Sequence, residues 1–191
     1  QEVLDVLHLL QTACDPWNET ALLCFLRGPF AALSDDTLAR MAMADPRKGG
    51  LARVFHGGQT PTGFPGADRL ARARELLRRV RELRGDPPGP ALRRALELSG
   101  AEAVCLGQYQ GMQKASNLRK LVAVADEFSP RLPATLADFV RYLDDVRDRA
   151  VQEGDANLQT GGGDAVLVMT IQFIAAFTWS QVRDRRAAQR A

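Results

Sequence analysis

Apolar residues recur along most of the chain with the three-to-four-residue spacing of amphipathic helices. The clearest case is 67–84, where Leu70, Ala73, Leu77 and Val80 mark one side and arginines fill most of the rest. The same spacing, interrupted by glycine and proline, predicts further helices at 2–12, 16–26, 35–44, 91–99, 102–107, 110–127 and 135–152, with a short one at 51–56 inside a long loop at 47–66. The pattern therefore predicts an all-α fold.

Capping residues set the expected helix boundaries. Asp15 and Pro16 suit the start of the second helix, because an aspartate accepts from exposed amides and proline tolerates the first helical position. Ser34 is the expected N-cap of the third helix. Gly100 is the expected C-cap of the helix that follows the proline-rich run 85–90, and that run should act as a stiff break.

A different pattern follows near the end of the chain. Residues 164–171 (DAVLVMTI) are mostly apolar and β-branched and come after three glycines, which is typical of a buried strand. One strand cannot form a sheet, and Gln1 is not a start methionine, so we expect a helical module cut from a larger protein. The expected divisions are a helical domain at 1–160 that ends in a glycine-rich linker at 154–163, a strand of the adjoining domain at 161–171, and a helical tail at 172–191.

Composition places the chain among soluble globular proteins, with 46% apolar and 25% charged residues in a length of 191. Three widely spaced cysteines and two histidines give no zinc pattern, and the odd cysteine count favours a reducing compartment. Arginine and aspartate interrupt every apolar run, so no membrane span is expected. Without a signal peptide pattern, we expect a cytoplasmic protein.

No catalytic motif is present in the sequence. There is no phosphate-binding GxxxxGK[ST] loop, GxGxxG, GxSxG or HExxH. One acidic cluster interleaves with arginines at helical spacing, and it is expected to be a solvated, salt-bridged helix face; its members are Asp144, Asp145 and Asp148 with Arg141, Arg147 and Arg149. We therefore expect no catalysis from this chain alone.

Basic residues cluster in two places that could meet a nucleic acid. Seven arginines on 67–84, against Glu75 and Glu82, could neutralise several phosphates and give salt-dependent binding that ignores sequence. The other interpretation is a solubilising surface. A smaller group on the helix at 110–127 has the same ambiguity. The candidate DNA-binding residues are Arg72, Arg78 and Arg79 in the first group, and Lys114, Arg119 and Lys120 in the second.

Several segments resemble one known family in their order and spacing. They are 3–10 (VLDVLHLL), 15–18 (DPWN), 22–29 (LLCFLRGP), 30–38 (FAALSDDTL), 117–121 (NLRKL), 139–143 (FVRYL) and 164–171 (DAVLVMTI). Together they resemble the accessory 2B domain of UvrD-like superfamily-one helicases, and within these the AddA and RecB-type subunits of ATP-dependent helicase-nucleases. The resemblance covers residues 1–171.

The resemblance implies a parent protein that hydrolyses ATP with Mg²⁺, unwinds duplex DNA and degrades strands in double-strand-break repair. This chain would be an accessory, regulatory domain that touches the duplex or the partner subunit, with no catalytic, cofactor or metal residue of its own. The alternatives are a pure protein-interaction module without DNA contact and a small unrecognised enzyme. Arginines gathered on one surface favour DNA contact, whereas arginines spread out and paired with acids favour protein interaction.

Two positions depart from the family pattern. After Thr170 and Ile171 the family has a histidine and then a Lys-Gly-Leu-Glu-Phe run that serves ATP coupling, but Gln172 and Phe173 follow here. Ala32 stands where many relatives have a glycine that lets a tight turn approach the duplex backbone, and only glycine takes a positive φ without strain. Ser34 and the first amides of the third helix are the phosphate contacts that remain expected.

Overall fold

Nine α-helices and no strand make up the described part of the chain, which confirms the all-α prediction. In this computed structural model the described residues are 1–43, 50–57, 66–128 and 134–160, with side chains described as far as residue 149. The helices are α1 (Glu2–Cys14), α2 (Glu19–Arg27), α3 (Asp35–Met43), α4 (Gly50–His56), α5 (Ala67–Glu82), α6 (Pro88–Ser99), α7 (Ala101–Leu106), α8 (Gly111–Glu127) and α9 (Leu136–Thr160).

Two compact units divide the chain, Gln1–Val140 and Arg141–Ala191. The first contains α1 to α8 and the start of α9. Helices α2, α5 and α8 all pack on α1, and Val6, Leu9 and Leu10 of α1 are almost completely shielded from solvent. A fully buried side chain of this size contributes roughly 1.5–3 kcal/mol, so these three residues of α1 contribute substantially to the stability of the unit.

Helix α2 begins later than the sequence predicts. Asn18 is its N-cap, and the Oδ1 of Asn18 accepts from the amide of Ala21 at 3.0 Å. Asp15, the predicted cap, instead accepts from the amide of Trp17 at 3.0 Å and closes a turn of its own. The prediction was wrong because aspartate competes for local amides outside helices as well as at their starts.

Of three other predicted boundaries, two are confirmed and one is wrong in part. Ser34 caps α3 as predicted, since its Oγ accepts from the amide of Thr37 at 3.3 Å. Gly100 ends α6 in the left-handed conformation at φ 63°, also as predicted. The predicted break at 85–90 is wrong in its second half, because α6 starts at Pro88. Proline fits a first helical turn, where the amides have no helical partner.

A reciprocal capping box fixes the start of α9. The amide of Thr135 donates to Oδ2 of Asp138 at 2.9 Å, and the amide of Asp138 donates to Oγ1 of Thr135 at 3.3 Å. The amide of Leu136 donates to the carbonyl of Asp86 at 2.9 Å. These bonds tie the beginning of α9 to the turn before α6.

Helix α9 continues to Thr160, so the predicted end at 152 and the predicted linker over 154–160 are wrong. One glycine inside a helix costs only about 1 kcal/mol relative to alanine, and Gly154 alone did not justify a break. In the second unit Arg147 pairs with Asp144 at 3.5 Å and with Asp148 at 3.3 Å, as the predicted salt-bridged face requires. The predicted strand at 161–171 and tail at 172–191 lie outside the described residues.

The short helix predicted within 47–66 is confirmed. This is α4, in which Leu51, Ala52 and Phe55 are buried, and which packs against α2 and α3. Residues 44–49 and 58–65, on either side, are outside the described ranges. Within the described residues, no helix combines the length and apolar composition needed to cross a bilayer.

Candidate nucleic-acid interface

The basic surface is built on α5, whose buried stripe faces the core. Leu70, Ala73, Leu77 and Val80 are buried, and at about 100° per residue they cover one side of the helix. The arginines between them leave from the outer face and the two flanks. They do not form one uniform surface, because each group of arginines meets different neighbours.

Arg72 and Arg79 form the outer face of α5. Both side chains are exposed, and residues seven apart on an α-helix lie almost in line. Neither makes a hydrogen bond or an ion pair with a residue in the described part of the chain. These two guanidinium groups are therefore open to an anion from outside.

Arg78 is held by two acids of its own helix. Its Nη2 lies 2.8 Å from Oε1 of Glu75, and its Nη1 lies 2.5 Å from Oε1 of Glu82. The hydrogen bond and charge of Glu75 are the main causes that raise the pKa of Arg78, and the Arg78 hydrogen bond in turn lowers the pKa of Glu75. Arg78 is thus the least available of the three α5 candidates.

Arg69 joins α5 to the turn between α2 and α3. Its Nη1 donates to the carbonyl of Ala32 at 2.9 Å. Ala32 adopts φ 50°, so the turn keeps the left-handed conformation that favours glycine and carries a cost of about 1 kcal/mol. The sequence departure at Ala32 has therefore not removed the turn, and the turn lies beside the N-terminal end of α5.

The turn offers fewer amides than the family resemblance implies. The amide of Ala32 donates to the carbonyl of Gly28 at 2.8 Å, and that of Leu33 donates to the carbonyl of Leu26 at 2.9 Å. The Oγ of Ser34 lies 2.9 Å from Oγ1 of Thr37 and also caps α3. These groups are satisfied within the turn, so they are not open phosphate contacts.

The first turn of α3 adds negative charge beside Ser34. Asp35 pairs with Arg27 at 3.1 Å, and Asp36 pairs with Arg40 at 2.9 Å. Acids at a helix N-terminus are favoured by the helix dipole, and here they occupy the position that a phosphate would need. The role that the structure shows for Ser34 is therefore that of the N-cap of α3.

The second basic group lies on α8, which packs against α1, α6 and α7. The Nζ of Lys114 donates to Oε1 of Gln108 at 2.7 Å, and Arg119 pairs with Glu102 of α7. Lys120 is exposed and makes no hydrogen bond or ion pair within the described ranges. Only one of these three candidates is an open cation.

A cavity of about 170 Å³ opens between α4 and the flank of α5. For comparison, one water molecule needs roughly 10–15 Å³ of space of this kind. Aromatic rings and guanidinium groups dominate its wall, which consists of Phe55, His56, Arg74, Leu77, Arg78 and Arg81. It is therefore large enough for a small ligand, and its charge selects an anion.

Two arginines of this wall have opposite situations. Arg74 caps the C-terminal end of α4, because its Nε donates to the carbonyl of Phe55 at 2.8 Å and its Nη2 to that of Val54 at 3.2 Å. The Cζ of Arg74 also lies 5.6 Å from the centre of the Phe55 ring, a cation–π distance. Arg74 is committed to the fold.

Arg81 has no such commitment. Its Nε and Nη2 are shielded from solvent and have no hydrogen-bond partner in the described structure. An unmet buried donor costs about 1–3 kcal/mol, and more when it is charged. Burial, followed by the charge of Arg84, lowers the pKa of Arg81. This guanidinium would gain from any acceptor in the cavity.

Two further rings stand at one side of the cavity. The carbonyl of Pro16 can only accept, so the Nε2 of His56, 2.9 Å away, carries the proton of the neutral ring. Burial is the main cause that lowers the pKa of His56, opposed by the Pro16 hydrogen bond and reinforced by Arg81 and Arg74. The ring of Trp17 meets that of His56 edge-on at 6.1 Å and is 64% exposed.

Sequence analysis missed this cavity, although a signal was present. Arg74, Arg78 and Arg81 lie three and four residues apart along one flank of the apolar stripe, a spacing that brings side chains together. The helical period counts these three among the exposed arginines, because it does not show which flank of α5 a neighbouring helix covers. That neighbour is α4, which reaches α5 through the C-terminal carbonyls bound by Arg74.

Comparisons with known proteins add no identification. No model of a protein family matches this chain, and no curated protein matches it. Within the described residues there is no group of three or more His, Cys, Asp or Glu side chains that could hold a metal ion.

Proposed function

We propose that this chain is an accessory domain of an ATP-dependent DNA helicase-nuclease, and that it contacts duplex DNA through α5. The ordered family segments over residues 1–171 support the assignment to such a parent. The observation that carries the DNA contact is the pair of exposed guanidinium groups, Arg72 and Arg79, which lie in line on α5 and make no ion pair within the described ranges.

The open cations of α5 supply the binding energy in this proposal. Arg72 and Arg79 face outward without an ion pair in the described structure, and each phosphate they meet releases condensed counterions from the DNA. Such contacts position a protein on DNA without reading its sequence. ATP and Mg²⁺ would be bound by the motor domains of the parent in the cytoplasm, so we assign no step of hydrolysis to this chain.

A salt titration tests the proposal. The whole chain is titrated onto a labelled duplex with a single-stranded overhang at several salt concentrations. We expect micromolar binding and a linear log–log salt dependence, with a slope lowered by about 0.9 for each arginine–phosphate contact removed. The double variant Arg72→Gln with Arg79→Gln should therefore lower the slope by up to about 2.

A matched control separates contact from net charge. Arg93→Gln with Arg94→Gln removes the same charge from α6, where these arginines pair with Asp126 and Glu97. The salt-dependence slope of this control should stay near that of the unsubstituted chain. Equal losses in the two double variants, or no binding at low salt, would exclude duplex contact through α5.

One observation favours a second function, docking on the partner subunit. Leu106, Tyr109 and Met112 lie within seven residues at the α7–α8 turn and are 48%, 85% and 73% exposed. We call these three residues the apolar corner. Exposed apolar groups in one place mark surfaces that proteins bind. If the DNA titration fails, Tyr109→Ser with Met112→Ser should weaken binding to the partner subunit.

A further inference from the structure

We propose that the cavity between α4 and α5 is a binding site for a phosphate monoester, and that Trp17 stacks on the base attached to it. The site goes beyond the proposed duplex contact, because it lies on a flank of α5 and does not use Arg72 or Arg79. The phosphate would belong either to the end of a nucleic-acid strand or to a free nucleotide.

Arg81 is the residue that gives the cavity a ligand-binding role. Its unmet Nε and Nη2 are neighbouring donors of one guanidinium plane, the arrangement that binds two oxygens of a phosphate or carboxylate side by side. The other two cavity arginines are already engaged: Arg74 holds the end of α4, and Arg78 holds Glu75 and Glu82. They contribute positive charge, and Arg81 contributes two unmet donors, which are shielded from solvent in this structure and meet phosphate oxygens after a small shift of the side chain.

The charge of the wall selects phosphate over a carboxylate. Three guanidinium groups line the cavity, and the two acids that pair with Arg78, Glu75 and Glu82, leave one positive charge in excess. A phosphate monoester carries about 1.5 to 2 negative charges at neutral pH and three acceptor oxygens, whereas a carboxylate carries one charge. The more highly charged anion therefore gains more from this wall.

The aromatic neighbours indicate that the phosphate belongs to a nucleotide. Phe55 and His56 line the cavity, with their ring centres 5.1 Å apart, and Trp17 extends this ring cluster into solvent. A large indole left 64% exposed beside a cationic cavity offers a flat surface on which any base can stack. The combination of a stacking ring and an arginine site is typical of binding to single-stranded nucleic acid.

The first test observes Arg81 directly in the intact chain. Arginine Nε–H signals are followed by NMR while inorganic phosphate is added, with acetate and chloride at matched ionic strength as references. We expect a saturable shift of the Arg81 signal with phosphate only, and no saturable shift of Arg93, which pairs with Asp126 on another face. Arg81→Gln should abolish phosphate binding and Arg93→Gln should keep it. Acetate binding as tight as phosphate, or equal losses in both variants, would overturn the proposal.

The second test identifies the source of the phosphate. A short single strand with a 5′-phosphate is compared with the same strand ending in a hydroxyl, and with a free nucleoside monophosphate. We expect the phosphorylated ligands to bind about tenfold more tightly than the hydroxyl end, the scale of a charge-assisted bidentate contact. Preference for the strand assigns a strand end, and preference for the monophosphate assigns a free nucleotide.

Trp17→Ala keeps the test decisive if Arg81→Gln fails to fold, since Trp17 is mostly exposed. This variant should bind inorganic phosphate as tightly as the unsubstituted chain does, and its affinity for both nucleotide ligands should fall several-fold. If the unsubstituted chain binds phosphorylated and hydroxyl strand ends with the same affinity, the proposed site is overturned. The readout is independent of duplex binding, so this proposal can fail while the α5 contact stands.

Discussion

Two surface regions of the first unit differ in how they are held to the core: the region where α4 meets α5, here the α4–α5 corner, and the apolar corner at the α7–α8 turn. At the α4–α5 corner, the ring of Phe55 is fully buried, Arg74 binds the end of α4, and His56 is bonded to Pro16. At the apolar corner, Tyr109 and Met112 project into solvent. The first corner is chemically specific because its groups are held in place, whereas the second offers apolar area without fixed partners.

Two turns that contain a residue at positive φ adjoin α5 and the apolar corner. Ala32, which accepts from Arg69, has φ 50°, and Gln110, which precedes α8, has φ 57°. These are the only two residues other than glycine with positive φ in the described ranges. Strain of this kind persists only where the surroundings enforce it, and it is common near functional surfaces. The turn at Ala32 therefore adjoins an arginine surface, whereas the turn at Gln110 adjoins exposed apolar side chains.

The largest difference between the corners should be in stability. Phe55→Ala removes a fully buried ring from beneath the arginine cavity and should lower the free energy of unfolding by about 3–5 kcal/mol. Tyr109→Ala removes an 85% exposed ring and should change it by less than about 0.5 kcal/mol. Urea unfolding followed by circular dichroism measures both. Similar losses in the two variants would show that the apolar corner is buried in solution.

The next largest effect separates two arginines of one helix. Arg74→Met leaves the carbonyls of Val54 and Phe55 without their donor and should cost about 1.5–3 kcal/mol, the range for hydrogen bonds to charged groups. Arg78→Met breaks ion pairs that are exposed and screened by solvent, so it should cost clearly less than Arg74→Met. The same urea titration compares them. If Arg78→Met costs as much as Arg74→Met, the cavity wall is stabilised by ion pairs and not by the α4 cap.

The sequence predicted the helices well where a helix carries its own signals. The apolar stripe of α5 and the Ser34 cap of α3 are local patterns, and both are confirmed. The predicted start of α2 was wrong because Asp15 accepts from the amide of Trp17 and does not cap the helix. The predicted end of α9 was wrong because Gly154 does not interrupt the helix. Local signals are reliable when no competing local structure uses the same residues.

The candidate site was predictable only in part, for a related reason. Arg72 and Arg79 are exposed as expected, because the outer face of an amphipathic helix follows from its period. Arg81 and His56 lie 25 residues apart in the chain, and α4 reaches the flank of α5 only through tertiary contacts. Nothing in the helical period of α5 indicates which neighbour covers that flank, so the cavity required the structure.

Relieving the two strained turns should have a smaller, opposite effect. Ala32→Gly and Gln110→Gly each replace a residue at positive φ with one that adopts it freely, and each should raise the free energy of unfolding by about 0.5–1 kcal/mol. Ala31→Gly is the matched control, because Ala31 is buried and has no positive φ, so this change should destabilise. Stabilisation at Gln110 but not at Ala32 would indicate that Arg69 holds the α2–α3 turn at little strain.

The smallest effect should be a pH dependence carried by His56 at the α4–α5 corner. Its pKa in the folded chain is below the ordinary value of 6.5, first because of burial and then because of Arg81 and Arg74. The unfolded chain therefore binds the proton more readily, so the contribution of His56 is full above pH 6.5 and is lost as the pH falls toward the folded pKa. His56→Gln should flatten the loss of stability between pH 7 and pH 5, measured by urea unfolding, and the His56 ring signals should titrate below 6.5 in NMR. Bound phosphate should move that titration upward, since an anion favours the charged ring. A ring that titrates above 6.5 without phosphate would contradict the cationic surroundings that distinguish this corner from the apolar one.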